Sequence, residues 1–154
     1  MANYVKPVVF KVGSEEYGVD IALVNAIENY VHIVPVPNSV AYVKGIINLR
    51  GEVIAVYDLR KKFNMPPSDV QERKLVIVKL PHAKIALEVD SVSEIHDFEA
   101  ENIVSLPAIA MNRETKYFDR VANVNGRLIV LMDVEQLLSE QEQEMVSKLA
   151  EDVK

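Results

Sequence analysis

The chain can be laid on itself, and no other feature constrains its fold as much. Shifted by 68 residues, Lys11–Ile27 (KVGSEEYGVDIALVNAI) falls on Lys79–Ile95 (KLPHAKIALEVDSVSEI). Val12 then meets Leu80, Tyr17 meets Ile85, Val19 meets Leu87, Ile21 meets Val89, Val24 meets Val92 and Ile27 meets Ile95. A shift of 75 places Asn48–Leu59 on Asn123–Val134, aligning Gly51 with Gly126, Ile54 with Ile129 and Asp58 with Asp133. One gap of seven residues reconciles the two registers. Self-similarity of this kind means that one structural unit is used twice, so both halves must adopt related folds.

Each half reads as five short strands. In the first they fall near Val8–Val12, Glu16–Ile21, Ala26–Val34, Val43–Leu49 and Glu52–Tyr57; in the second near Lys74–Leu80, Lys84–Asp90, Ser93–Phe98, Tyr117–Val124 and Arg127–Met132. Val, Ile, Tyr and Phe crowd these runs, and Gly, Pro, Asn and Ser bound them. Runs such as VIAVY and LIVLM suit strands covered on both faces. Five short strands left open would expose edges, so each half is expected to curl into a small barrel. A barrel of roughly 65 residues is marginal alone. The expectation is a single domain of a first barrel half, 1–66, and a second, 71–138, packed over a shared apolar seam, with strands able to cross between them.

Helices are few. DLRKKF and DVEQLL each follow the last strand of their half, with Asp58 and Asp133 placed to cap them. Residues 139–154 are expected to form a C-terminal helix, opened by Ser139 and Glu142, with Met145, Val146, Leu149 and Val153 as its apolar stripe. NMPPSDVQER is the linker between the halves.

The chemistry of common enzymes is missing from the sequence. The two matched aspartates lack the small hydroxyl residue and Gly that a shared-proton carboxylate pair requires, so capping is the better reading. His32, His82 and His96 make no pair at metal-ligand spacing, and His32 is read as a surface residue. There is no Gly-rich phosphate loop and no Gly-x-Ser-x-Gly elbow. Arg60, Lys61 and Lys62, with Arg73 and Lys74 nearby, read as a solvated helix face in a chain of net charge −6. The absence of cysteine removes disulfides and thiolate chemistry, and no run of 18 apolar residues is present. The chain is therefore expected to be a cytoplasmic non-enzyme without cofactor or metal, binding no nucleic acid and not inserting directly into a membrane.

The halves disagree at their central hairpin. A two-residue turn between strands wants φ > 0 at both positions, and the second half supplies Asn125-Gly126. The first half has Arg50-Gly51, although an arginine in the left-handed region carries a steric cost that Asn escapes; the alternative is a turn of another type, with Gly51 taking the strain and Arg50 a solvated loop tip. The halves differ again where Ala26 falls on Glu94; the first half carries its acid at Glu28, on the same strand face and able to reach a base such as Arg50.

With those residues in view, VVFKVGSEEYGVDIALVNAI, VPVPNSVAYVKGIINLRGEVIAVYDLRKKF, KLVIVKL…KIALEVDSVSEI and GRLIVLMDVEQLL closely resemble the CheW family of chemotaxis coupling proteins, from about Val8 to Leu138. The resemblance implies two SH3-like five-stranded β-barrels around a common core, in a mainly β protein with short helices. It implies a non-catalytic adaptor that joins the cytoplasmic helical-hairpin tip of a chemoreceptor to the regulatory domain of the histidine kinase CheA, as a monomer when isolated. By the same resemblance the receptor-facing groove includes Val24, Ile27, Gly45, Arg50 and Val92, though Val24, Ile27 and Val92 are also spaced like core residues. Kinase contacts fall around Ile33, Tyr42 and Gly51, with Ile109 of the SLPAIA loop as a further apolar tip. The family often has Glu before the residue matching Ile27, pairing with the hairpin arginine; here Ala26 stands there, and Glu28 is the expected substitute. Two alternatives stay open: a regulatory domain detached from a kinase or from a receiver fusion, against which the chain ends argue, and a small β-barrel hydrolase or ligand binder using Asp58 and Asp133.

Overall fold

Glycine sets the turns between adjacent strands. Gly13, Gly51 and Gly126 take φ of 67°, 87° and 81°, the left-handed region that closes tight hairpins without a Cβ clash. A computed structural model describes residues 4–36, 42–63, 65–66, 73–81, 83–95, 98–105, 118–124 and 126–137. The chain runs through β1 (Tyr4–Val5), β2 (Pro7–Val12), β3 (Glu15–Asp20), a 3₁₀ turn (Ile21–Leu23), β4 (Val24–Asn29), β5 (Val43–Leu49), β6 (Glu52–Asp58) and α1 (Leu59–Lys62). It continues through β7 (Lys74–Lys79), β8 (Lys84–Val89), β9 (Ser91–Ile95), β10 (Phe98–Glu99), β11 (Ile103–Ser105), β12 (Phe118–Val124), β13 (Arg127–Met132) and α2 (Val134–Leu137). The expected C-terminal helix, most of the linker, His82, His96 and Ile109 lie outside the described residues.

The protein is mainly β, in two large sheets. One has the order β11-β12-β13-β3-β2-β9 and the other β4-β7-β8-β6-β5. Neither sheet is drawn from one half of the sequence. The β2–β3 hairpin of the first half lies beside β13, and the β7–β8 hairpin of the second half lies beside β6. Both junctions are parallel, Glu16–Val19 along Ile129–Met132 and Ala55–Asp58 along Ile85–Glu88. The duplicated halves therefore exchange equivalent hairpins instead of each closing on itself.

Three apolar clusters follow from this exchange. Ile33, Ile47, Ile54, Val56, Leu75, Ile77 and Ala86 fill the second sheet's interior, and Val9, Ala122, Ile129 and Leu131 fill that of the first. The largest cluster joins residues from both sheets, among them Phe10, Tyr17, Val19 and Met132 on one side and Tyr57, Val76, Ile85 and Leu87 on the other. Strand alternation makes this possible: β8 sends Ile85, Leu87 and Val89 to the seam, and Ala86 between them into its own sheet.

Strand ends depart from expectation where polar groups intervene. The expected Ala26–Val34 strand stops at Asn29, because the chain leaves β7 and crosses to β5. There the Val34 and Ile46 amides each donate to the other's carbonyl at 2.8 Å, which joins the sheet's two edges into a barrel. Ile21 leaves β3 because the Asp20 carboxylate accepts from the Ala22 amide at 2.9 Å and starts the 3₁₀ turn. Asp90 divides β8 from β9: its amide donates to the Lys11 carbonyl and its carboxylate accepts from the Gly13 amide at 2.8 Å. Asp58 caps α1, accepting from the Lys61 amide at 3.2 Å.

Candidate functional site

The hairpin between β5 and β6 is built around Arg50. Its φ of 51° is the one positive value at a non-glycine position among the described residues, so the turn takes the backbone form that disfavours arginine. The Asn48 side chain accepts from the Gly51 amide at 2.9 Å and holds the turn locally. The Arg50 guanidinium reaches across to β4 and donates to Glu28 Oε1 at 2.7 Å. Arg50 remains 70% exposed and Glu28 23%, so the pair ties the hairpin to β4 while leaving most of the guanidinium open to solvent. Ala26, two residues earlier on β4, cannot supply that contact.

A bulge in β4 decides which side chains face the seam. Strict alternation would put Val24 and Ile27 on opposite faces. The register against β7 shifts between Val24 and Ala26, so Val24 lies across from Val78 and Ile27 across from Val76, both members of the seam cluster. Val24 packs on that cluster, and so does Val92, from β9 of the other sheet. Ile27 is 41% exposed. The bulge thus gives the seam an apolar rim, supplied from both sheets and partly open to solvent.

The other expected positions are placed differently. Gly45 is buried, and a Cβ there would come within 2.3 Å of the Val34 carbonyl oxygen; it acts by letting residues 33–34 approach β5. The Ile33 side chain is packed in the barrel interior, whereas its neighbour Val34 is 49% exposed. Tyr42 lies half-buried on the seam cluster, 6.0 Å from the Tyr57 ring, with the Lys62 ammonium 4.7 Å from its own ring centroid. Gly51 sits exposed at the hairpin tip.

The sequence reading of Arg60, Lys61 and Lys62 as a solvated face needs correction. Arg60 is 16% exposed and forms a two-point pair with Asp90 at 3.2 and 2.5 Å, and Lys62 stacks on Tyr42. Nearby, buried Glu88 is held by Lys44 and Arg73, each at 3.0 Å. Chain spacing gives no signal for these contacts, since their partners lie 30, 44 and 15 residues apart.

Residues 6–142 match the family model described as the CheW-like domain, and the chain belongs to the CheW family. Among individual proteins it is 34% identical over 143 residues to the chemotaxis protein CheW of Klebsiella aerogenes, covering 92% of this chain and 86% of that one. It is also 34% identical over 138 residues to a probable chemotaxis protein CheW of Rhizobium etli, covering 89% of each. The crystal structure of scaffolding protein TtCheW from Thermoanaerobacter tengcongensis superposes with a TM-score of 0.82 at 29% identity, over 92% of this chain and 97% of that one. No helix among the described residues is long and apolar enough to cross a membrane.

Proposed function

We propose that this chain is a cytoplasmic, non-catalytic chemotaxis adaptor that seats the helical-hairpin tip of a chemoreceptor on the rim of its barrel seam. Val24, Ile27 and Val92 supply apolar contacts to one face of the helix, Arg50 supplies a polar anchor beside them, and Gly45 shapes the strand beneath. A helix laid in an apolar groove is a common way for a preformed surface to take an amphipathic partner. The regulatory domain of the histidine kinase CheA takes a second surface around Tyr42, Gly51 and the Ile33–Val34 segment, with Ile109 contributing from its loop. No cofactor is needed, and the isolated chain is a monomer.

The observation that carries this reading is the β4 bulge, which brings Val24 and exposed Ile27 to the same side as Val92. The test is a titration of the isotope-labelled chain with a receptor-tip hairpin. Amide shifts are expected to cluster at Val24, Ile27, Arg50 and Val92. Arg50→Asn is expected to leave the fold intact, since Asn tolerates the left-handed turn, and to weaken one of the two partner interactions. Unchanged affinity for receptor fragment and kinase domain alike would remove the role given to Arg50.

A further inference from the structure

We propose that the Arg60–Asp90 ion pair is a clasp that fixes the angle between the two barrels and thereby positions Val92 against Val24 and Ile27. The chain passes between its two large sheets twice, from β3 to β4 through the 3₁₀ turn and from β8 to β9 at Asp90. The 68-residue shift makes Ala22 of the first passage the counterpart of Asp90 in the second. The passages lie at opposite ends of the seam. On β2, Asp20 stands across from Pro7, whereas the Asp90 amide donates to the Lys11 carbonyl. On β7, Val24 stands across from Val78 and Val89 across from Lys74. The two walls of the apolar rim start from these points: Val24 opens β4, and Val92 follows Asp90 by two residues.

The passages are held differently. At the first, Asp20 caps its own turn and the Ile21 amide donates to the Lys6 carbonyl at 3.0 Å, so both contacts stay beside the first sheet. At the second, one carboxylate holds both sheets. Asp90 accepts from the Gly13 amide at the β2–β3 turn, and from Arg60 Nε and Nη2 of α1, which directly follows β6 of the other sheet. Arg60 Nη1 donates onward to the Pro66 carbonyl at 2.8 Å, anchoring the chain beyond α1. The apolar seam presses the barrels together, but burial of that kind is non-directional and favours no single angle. A two-point pair between guanidinium and carboxylate demands one geometry. Its side chains are 16% and 10% exposed, and a pair so removed from water adds little net stability; what it supplies is a preferred arrangement. The separation of Val92 from the β4 residues is therefore set by a pair that lies outside the rim. The consequence for a receptor helix rests on the docking surface proposed above.

The test uses the absence of native cysteine: Lys79→Cys on β7 and Asn123→Cys on β12, both exposed, put one spin label on each sheet of the full-length chain. Double electron–electron resonance then reads the distance between the barrels. A single narrow distribution is expected with the clasp intact. Arg60→Gln leaves the Asp90–Gly13 bond in place and removes the tie to α1, and Asp90→Asn removes the charge. Each is expected to shift or broaden the distribution by about 3 Å, the displacement for a rotation of about 10° at the end of a strand about 20 Å long. Each is also expected to weaken binding of a receptor-tip hairpin about fivefold, although neither residue belongs to the rim. Leu131→Ala, in the first barrel's interior, is the control for lost stability and should leave the distance unmoved. Unchanged distances in both variants, the same broadening from Leu131→Ala, or a shifted distance with hairpin affinity unchanged would overturn the proposal. A wild-type chain that ignores the hairpin overturns the docking surface instead, and the distances then decide the clasp by themselves.

Discussion

Replacing Gly45 by Ala puts a methyl group where backbone already lies. The new Cβ would sit 2.3 Å from the Val34 carbonyl oxygen, 2.9 Å from its carbonyl carbon and 2.8 Å from Ile33 Cγ2. The Ile33 side chain could rotate aside, but the Val34 carbonyl is held by the Ile46 amide at 2.8 Å, and the Val34 amide donates back at the same distance. The variant must therefore push residues 33–34 off β5 and open the barrel where it closes. Two backbone hydrogen bonds are worth about 0.5–1.5 kcal/mol each, and overpacking adds about 1–3 kcal/mol, for a total of about 2–6 kcal/mol. That is a large share of the roughly 5–15 kcal/mol that holds a typical domain. Urea unfolding followed by far-ultraviolet circular dichroism measures it, because the chain has no tryptophan to report by fluorescence. Amide exchange at Ile46 shows where the loss falls. Gly51→Ala is the control: nothing lies within 4 Å of its Cβ, and the cost of φ +87° alone is about 1–2 kcal/mol. A Gly45→Ala loss below about 1 kcal/mol, with the Ile46 amide still protected, would show that close approach is not why glycine stands there.

Three further outcomes are expected. A double-mutant cycle on Arg50 and Glu28 by urea unfolding should give a coupling of about 0.2–1 kcal/mol, because the guanidinium is mostly exposed; a coupling near zero would mean the pair is incidental. Asp90→Asn takes the counter-charge from half-buried Arg60 and weakens the cap on Gly13, so it should cost about 3 kcal/mol by the same measurement. Glu16 receives both Arg127 nitrogens, and this hydrogen bonding lowers its pKa from the ordinary 4.5. A lowered folded pKa adds stability that is complete above about pH 4.5 and is lost as pH falls through the folded value. Arg127→Gln should therefore cost about 0.5 kcal/mol near neutrality, a figure kept small by the exposure of Arg127, and the two unfolding curves should converge in acid.

How much of this was legible in the sequence varied with the range of the interaction. The strands and their hairpins could be read, because β-branched runs and Gly turns are local signals, and the 68- and 75-residue shifts exposed the duplication. Comparison with Asn125 in the other half marked Arg50 as the odd residue, but a turn of another type with Arg50 as a solvated tip stayed equally open until its φ of 51° was seen; Glu28 shared the right strand face, and only the fold showed the contact. The hairpin exchange was not legible, since alternation says which face a residue takes but not which neighbouring strand it pairs with. The β4 bulge was equally hidden: one extra residue moves Ile27 to the seam without altering composition. Arg60 and Arg73 read as a solvated face, and nothing in the sequence pointed to Glu88 or Asp90 as their partners, because only the fold brings such distant residues together. Gly45 was singled out for the docking surface, and its burial became visible only once Val34 was seen lying across it.

The traded hairpins make the two barrels a single object. A cut between the halves would leave each fragment holding a pair of strands with no sheet to join and a sheet with a gap where its missing pair belongs. Neither piece could close its own interior or supply both walls of the seam, so melting one barrel strips strands from the other. A pull on either side is thereby felt by both, a useful property in a coupling protein.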